Sequence, residues 1–226
     1  MDSEMSNVLL YNYFRSSCSW RIRAFLAFKG IKYEYKAVNL LKMEHKQEEF
    51  LKINPNGQVP ALVYDGHVMS ESSTILEFLE DMYPKKNPSL PSDLFQRQIV
   101  RQMCYLIGGF IQPIQNPFLA GKIARKFVPD DAEKQDVTKK EWSHDAIKVG
   151  FMAFEKLLQQ YSGKCSFGDE ITMADFFLVP QVANAMRFDV DLTEFPLIKR
   201  INETLLDEEC FKLSHPDIQP DNPNTK

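Results

Sequence analysis

The chain predicts an α/β plus all-α protein: a small α/β layer with a mixed sheet over residues 1–85, then an all-helical domain over 94–226. Three observations lead there. Residues 1–85 alternate strand-like and helix-like periods in the order βαβ, α, ββ, α. The stretch YPKKNPSLPSD at 83–93 is rich in proline, lysine and polar residues, as an interdomain linker is, and 86–93 is taken as the linker between the two domains. Beyond it the apolar residues recur at helical spacing, and no convincing strand follows.

Each element has its own signal. Apolar and aromatic density makes 8–14 a strand, and Ile22, Phe25, Leu26 and Lys29 follow helical spacing over 19–29, with Gly30 placed to end the helix. IKYEYKAV sets Tyr33, Tyr35 and Ala37 against Lys32, Glu34 and Lys36, the period of a half-buried strand. A second helix follows through HKQEEFLKIN. In VPALVYDGHVM an Asp-Gly pair separates two apolar runs, which suits the type I′ turn of a hairpin. Ile75, Leu76, Leu79 and Met82 then share one face of a helix over 72–83. The order matches a thioredoxin-like arrangement. The second half reads as helices over 94–115, 133–161, 173–186 and 196–206, with an apolar stripe of Trp142, Ala146, Val149, Ala153, Phe154 and Leu157 in the long one. Thr172 and Asp175 form a capping box, and the Pro-, Asp- and Asn-rich tail SHPDIQPDNPNTK reads as a segment draped over the surface.

With 226 residues and 44% hydrophobic content, the chain is long enough for one or two domains with real cores. Cys18, Cys104, Cys165 and Cys210 are scattered, with no CxxC pair and no histidine at ligand spacing. Neither a disulfide framework nor a metal site is expected, and a reducing, cytoplasmic compartment fits. The N-terminus MDSEMSNVLL carries acids where a secretory signal carries bases, so no export signal is expected. The longest apolar run, 103–111, is far short of the ~20 residues that span a bilayer, so no membrane partner is expected. A net charge of −4 without a basic block leaves no footprint for nucleic acid. Small molecules are the expected partners.

Three stretches have residue types suited to chemistry. FRSSCSWRIR puts Arg15, Ser16, Ser17, Cys18 and Ser19 between a strand and a helix, where free amides and the helix dipole favour an anion or a thiolate. Serine is equally a preferred N-cap. A serine hydrolase is not indicated, since there is no Gly-x-Ser-x-Gly elbow, and Cys18 lacks a resolving cysteine. In NPNGQVPALVYDG, Pro60 stands at the mouth of a strand, which leaves the Val59 backbone to pair with an extended peptide, or marks an ordinary loop. Ser70, Glu71 and Ser72 open the next helix, offering donors to a carboxylate and an acid to an ammonium group, or a cap alone.

RSSCSWRIR, GQVPAL, IQPIQN, GDEITMADFFLVPQVANAMRF and SHPDIQPD together resemble the cytosolic glutathione transferases over nearly the whole chain, and the zeta class in particular. The resemblance implies glutathione as cofactor, with its thiolate accepting a hydrogen bond from Ser16 and its pKa drawn from the ~8.5 of a free cysteine toward neutrality. It implies that Ser17 and Cys18 lie against glutathione, Cys18 shaping the site rather than forming an obligatory covalent intermediate. Val59 pairs with the cysteinyl backbone, Glu71 and Ser72 hold the γ-glutamyl end, and Gln47, Gln112 and Asn116 add contacts. The substrate implied is a dianionic cis-enedione, with Arg187, and Arg15 as second candidate, binding its carboxylates. The activity implied is cis-trans isomerisation of maleylacetoacetate to fumarylacetoacetate, a step of tyrosine and phenylalanine catabolism, by a homodimer. Two alternatives stand beside it: a transferase that conjugates or dehalogenates α-halo acids, and a non-catalytic interaction module. NPFLAGKIARKFVPDD is more basic and aromatic than the class pattern, and Met186 stands before Arg187 where a charged residue is common.

Overall fold

A computed structural model of the chain describes residues 7–225, so most of the acidic N-terminal stretch lies outside the described residues. The chain forms two compact units. One runs to Pro88 and resumes at Asp207, and the other is Ser89–Leu206.

The first unit has a four-stranded sheet of β1 (Val8–Asn12), β2 (Glu34–Ala37), β3 (Ala61–Tyr64) and β4 (His67–Ser70) in the order β2-β1-β3-β4. β1 runs parallel to β2 and antiparallel to β3, and β4 returns beside β3. Helices α1 (Ser17–Phe28), α2 (Glu48–Ile53) and α3 (Ser72–Met82) complete the thioredoxin-like layer expected from the periodicities. The hairpin turns where Asp65 and Gly66 both take positive φ, 47° and 84°, as a type I′ turn requires, and Tyr64 faces His67. β1 stops at Asn12, so Tyr13 and Phe14 belong to a turn rather than to the strand.

Leu10, Leu62, Ile22, Phe25, Leu26, Ile75, Leu76 and Leu79 are fully buried, as the two helical faces and the apolar strand runs predict, while Met82 is exposed. Lys29, counted with the apolar face of α1, is fully buried too. Its ammonium donates to Glu80 Oε2 at 2.6 Å and to the carbonyls of Tyr83 and Asn87 at 3.1 and 3.0 Å. Three donors meet three acceptors, which is the condition for burying a lysine at all. Gly30, at φ 59°, ends the helix just beyond.

The second unit is helical: α4 (Leu94–Tyr105), α5 (Gln112–Gln115), α6 (Pro117–Phe127), α7 (Ala132–Tyr161), α8 (Met173–Arg187) and α9 (Pro196–Leu206). The single helix expected over 94–115 is interrupted by a π-helical stretch, Leu106–Ile111, that contains Gly108 and Gly109. The stripe expected on α7 is displaced. Its buried face is Ser143, Ile147, Gly150, Phe151, Phe154, Glu155 and Leu158, while Trp142 and Val149 are exposed. Close approach explains the shift, because a Cβ on Gly150 would lie 2.1 Å from Ile111 Cγ1. α6 was not expected as a helix, since its buried face consists of the small residues Ala120, Gly121 and Ala124. The capping box at Thr172 and Asp175 forms as predicted, with Asp175 Oδ2 accepting from the Thr172 N–H at 2.7 Å and Oδ1 from that of Ser166 at 2.8 Å.

The tail differs from the boundary drawn on sequence, which put everything from 94 to 226 in the helical domain. From Asp207 onward the chain packs with the first unit through α10 (Glu209–Ser214) and a 3₁₀ turn, Pro216–Ile218. Trp20 Nε1 donates to Ser214 Oγ at 2.9 Å, and Arg23 Nε donates to the Ser214 carbonyl at 3.2 Å. Buried donors on α1 need acceptors, and the polar tail supplies them.

Candidate active site

The loop from β1 to α1 is a turn in which the Ser16 N–H donates to the Tyr13 carbonyl at 3.0 Å. Ser16 has extended backbone, φ −73° and ψ 117°, and caps α1 by accepting the Ser19 N–H on Oγ at 3.2 Å. Both sequence readings of this serine are therefore compatible. The cap engages a lone pair of Oγ and leaves the hydroxyl proton to donate elsewhere. Ser17 and Cys18 begin the helix, so their amides have no carbonyl one turn back. Ser16, Ser17 and Cys18 are all half-buried, and Arg15 is exposed on the loop. One hydroxyl, two amides and the positive end of a helix dipole thus gather at the head of α1, where an anion is favoured.

The second stretch has the Val59–Pro60 peptide in the cis form, just before β3. The Val59 side chain is buried in an apolar cluster with Tyr13, Phe14, Val38, Phe50 and Ala61. Neither its N–H nor its C=O has a protein hydrogen-bond partner among the described residues, which leaves an edge for an extended peptide.

At the head of α3, Glu71 takes φ 68° and ψ 110°, outside the basins open to a residue with a Cβ, and its carboxylate accepts from Asn56 Nδ2 at 3.2 Å. Ser72, buried, accepts on Oγ from Arg21 at 3.1 Å. Strain at the entrance of a helix is the kind of feature that gathers at ligand clamps. Gln47 is exposed at the start of α2, with no capping bond from its side chain.

In the second unit, Gln112 is half-buried at the head of α5, and Asn116 caps α6 by accepting the Phe118 N–H at 2.9 Å. Arg187 ends α8, exposed, with its guanidinium 5.4 Å from the centre of the Phe188 ring. Within the first unit the structure places Ser16, Ser17, Cys18, Val59, Glu71 and Ser72 at the starts of α1, β3 and α3.

Two residues escaped the sequence reading. Arg21 and Arg23 lie in α1 and are 1% and 0% exposed. Arg23 donates to Asn12 Oδ1, to the carbonyls of Tyr13 and Phe14, and to the tail, so it braces the turn that carries Ser16. Burial pulls its pKa below the usual arginine value, opposed by Tyr35, Tyr33 and Asp221. Their sequence signal was two arginines inside an otherwise apolar helix.

The family model for the glutathione S-transferase N-terminal domain matches residues 6–81, and that for the C-terminal domain matches 119–209. Maleylacetoacetate isomerase of Dictyostelium discoideum is 45% identical, over 96% of each chain, and that of Rattus norvegicus is 46% identical, over 95% of each. A zeta-class glutathione S-transferase of Euphorbia esula is 46% identical over 94% of this chain and 91% of its own. Among solved structures, the holo form of a bacterial maleyl pyruvate isomerase of the zeta class has a TM-score of 0.88 at 40% identity, covering 94% of this chain and 99% of its own. Maleylacetoacetate isomerase of Anaeromyxobacter dehalogenans with bound dicarboxyethyl glutathione and citrate has a TM-score of 0.84 at 38% identity, covering 98% of this chain and 100% of its own.

Proposed function

The chain belongs to the zeta class of the glutathione S-transferase family, and we propose that it is a glutathione-dependent isomerase converting maleylacetoacetate to fumarylacetoacetate. The observation that carries this reading is the N-terminus of α1, where the Ser16 hydroxyl keeps a proton to donate beside the open amides of Ser17 and Cys18.

The residues of the first unit fit glutathione group by group. Its sulfur suits the Ser16 hydroxyl and the α1 amides. Its extended backbone suits the unpaired N–H and C=O of Val59. Its γ-glutamyl ammonium suits the Glu71 carboxylate, and the neighbouring carboxylate suits the Ser72 hydroxyl and the start of α3.

When bound, glutathione supplies a thiolate that adds to the cis double bond and leaves again, so that the carbon–carbon axis turns and no glutathione is consumed. The chain's own part is to bind, orient and hold charge. Ser16 stabilises the thiolate over the thiol by donating to it, and each unit of pKa so gained is worth about 1.4 kcal/mol. Cys18 shapes the pocket wall beside it. Gln47, Gln112 and Asn116 are proposed as further glutathione contacts. Arg187, with Arg15 as the second cation, is proposed to bind substrate carboxylates through the guanidinium fork.

The diacid substrate class has support from the A. dehalogenans relative, which holds a dicarboxyethyl group and citrate. That favours diacid isomerisation over α-halo acid conjugation. A homodimer in the cytoplasm completes the proposal. No helix of the described residues is long and apolar enough to cross a membrane.

The test is turnover of maleylacetoacetate, with maleylpyruvate in parallel, with and without catalytic glutathione, for wild type and Ser16→Ala. Glutathione-dependent turnover that leaves glutathione unconsumed and collapses in the variant is expected. Tight glutathione binding without turnover of either diacid would refute the isomerase reading.

A further inference from the structure

The turn over residues 13–16 has an unusual set of supports. It closes on itself by the bond from the Ser16 N–H to the Tyr13 carbonyl. Side chains from both ends of the chain take other groups of the turn, beginning with Ser19 Oγ, which accepts the Tyr13 N–H at 3.5 Å. Arg23 donates to the carbonyls of Tyr13 and Phe14 at 3.3 and 3.0 Å. Asp221, in the C-terminal tail, accepts the Phe14 N–H on Oδ2 at 3.0 Å across 207 positions of sequence. Its other oxygen accepts from the Tyr35 hydroxyl on β2.

The tail itself is fixed before it reaches Asp221. Ser214 is tied to Trp20 and Arg23, the Trp20 and His215 rings meet edge to face at 5.1 Å, and Gln219 donates to the carbonyls of Leu213 and His215 at 3.4 and 2.9 Å. Asp221 therefore arrives as the end of a braced strap rather than as a loose surface acid. The groups around it with a charge to offer are Arg23 and Tyr35.

We propose that the C-terminal strap, acting through Asp221, is the positioning element that sets the Ser16 hydroxyl at the glutathione sulfur. The bonds of Asp221 go to the Phe14 N–H and the Tyr35 hydroxyl, so it acts through the peptide two residues before Ser16. The inference rests on Ser16 being the thiolate donor. A displacement of about 1 Å in such a donor is enough to cost up to about 100-fold in rate, and a charge-assisted bond to the turn is what Asp221 contributes against it.

The test uses the full-length protein with bound glutathione and compares wild type, Asp221→Ala, Asp221→Asn and Ser16→Ala. The thiolate is titrated by its ultraviolet absorbance, kcat and the KM for glutathione are measured, and amide exchange is followed at Phe14. For Asp221→Ala the expected result is a thiolate pKa raised by about one unit and a kcat about tenfold lower, the equivalent of one charge-assisted bond. Phe14 exchange rises, and the KM for glutathione changes less than kcat. Asp221→Asn keeps an oxygen toward the Phe14 N–H and is expected to recover most of the loss. The proposal is overturned if Asp221→Ala keeps the wild-type pKa and kcat while Ser16→Ala raises the pKa. An unchanged pKa in Ser16→Ala itself instead removes the premise about Ser16. Should Asp221→Ala fail to fold, Tyr35→Phe, which deletes only the hydroxyl that steadies Asp221, is read by the same two criteria.

Discussion

Replacing Glu71 separates backbone strain from ligand recognition at one position. Its φ of 68° and ψ of 110° put it outside the basins open to a residue with a Cβ, and such a conformation costs about 1–3 kcal/mol. Glycine relieves that cost, against about 0.5–1 kcal/mol of extra backbone entropy lost on folding. The bond from Asn56 is exposed at 3.2 Å and contributes little more. The expected net for Glu71→Gly is a gain of about 1 kcal/mol in unfolding free energy, read by urea denaturation. If the carboxylate holds the glutathione ammonium, the same variant forfeits a charge-assisted contact of about 1.5–3 kcal/mol. Affinity measured by calorimetry then falls about 10- to 150-fold. Glu71→Gln keeps the strain and drops the charge, so its stability stays within about 0.5 kcal/mol of wild type while affinity falls by a similar factor. A Glu71→Gly protein less stable than wild type refutes the strain argument, and a Glu71→Gln protein that binds glutathione normally refutes the ammonium contact.

Three further outcomes follow from single interactions. Lys29→Met leaves the buried Glu80 without its cation and is expected to cost about 3–5 kcal/mol in urea unfolding, whereas adding Glu80→Leu recovers most of it; strictly additive losses would show that the pair is uncoupled. The Tyr35 phenol is raised above its usual pKa by burial and by its bond to Asp221, so the folded form holds a proton that the unfolded chain releases near pH 10. That stability is complete below about pH 10 and declines as pH rises further. Tyr35→Phe should make the alkaline fall in Tm shallower but not abolish it, because burial raises Tyr33 too. Arg187→Ala is expected to lower kcat/KM for isomerisation at least about tenfold while glutathione affinity holds; an equal loss of glutathione affinity would move Arg187 from substrate to cofactor binding.

What could be read from sequence was local. The hairpin was legible because Asp65 and Gly66 are the residues its turn needs, and α8 because Thr172 and Asp175 sit at capping-box spacing. Ser16 was legible as a cap, since that role depends only on a serine between a strand and a helix, whereas its role as a donor came from the family resemblance. The face of α7 was misread because Ser143 and Gly150 are buried for their small size, a property no hydrophobic period records. Arg21 and Arg23 pose the sharper case. At 100° per residue they point 200° apart around α1, yet both are buried, so α1 must be enclosed on opposing sides, with acceptors waiting on each. Ser72 supplies one side and Ser214 with the 13–16 turn the other. Two buried guanidiniums on one helix thus demand that a polar segment return to cover it. The Pro-, Asp- and Asn-rich tail, read on sequence as a segment draped over the surface, is that segment for Arg23. Its polarity is the reason it packs there.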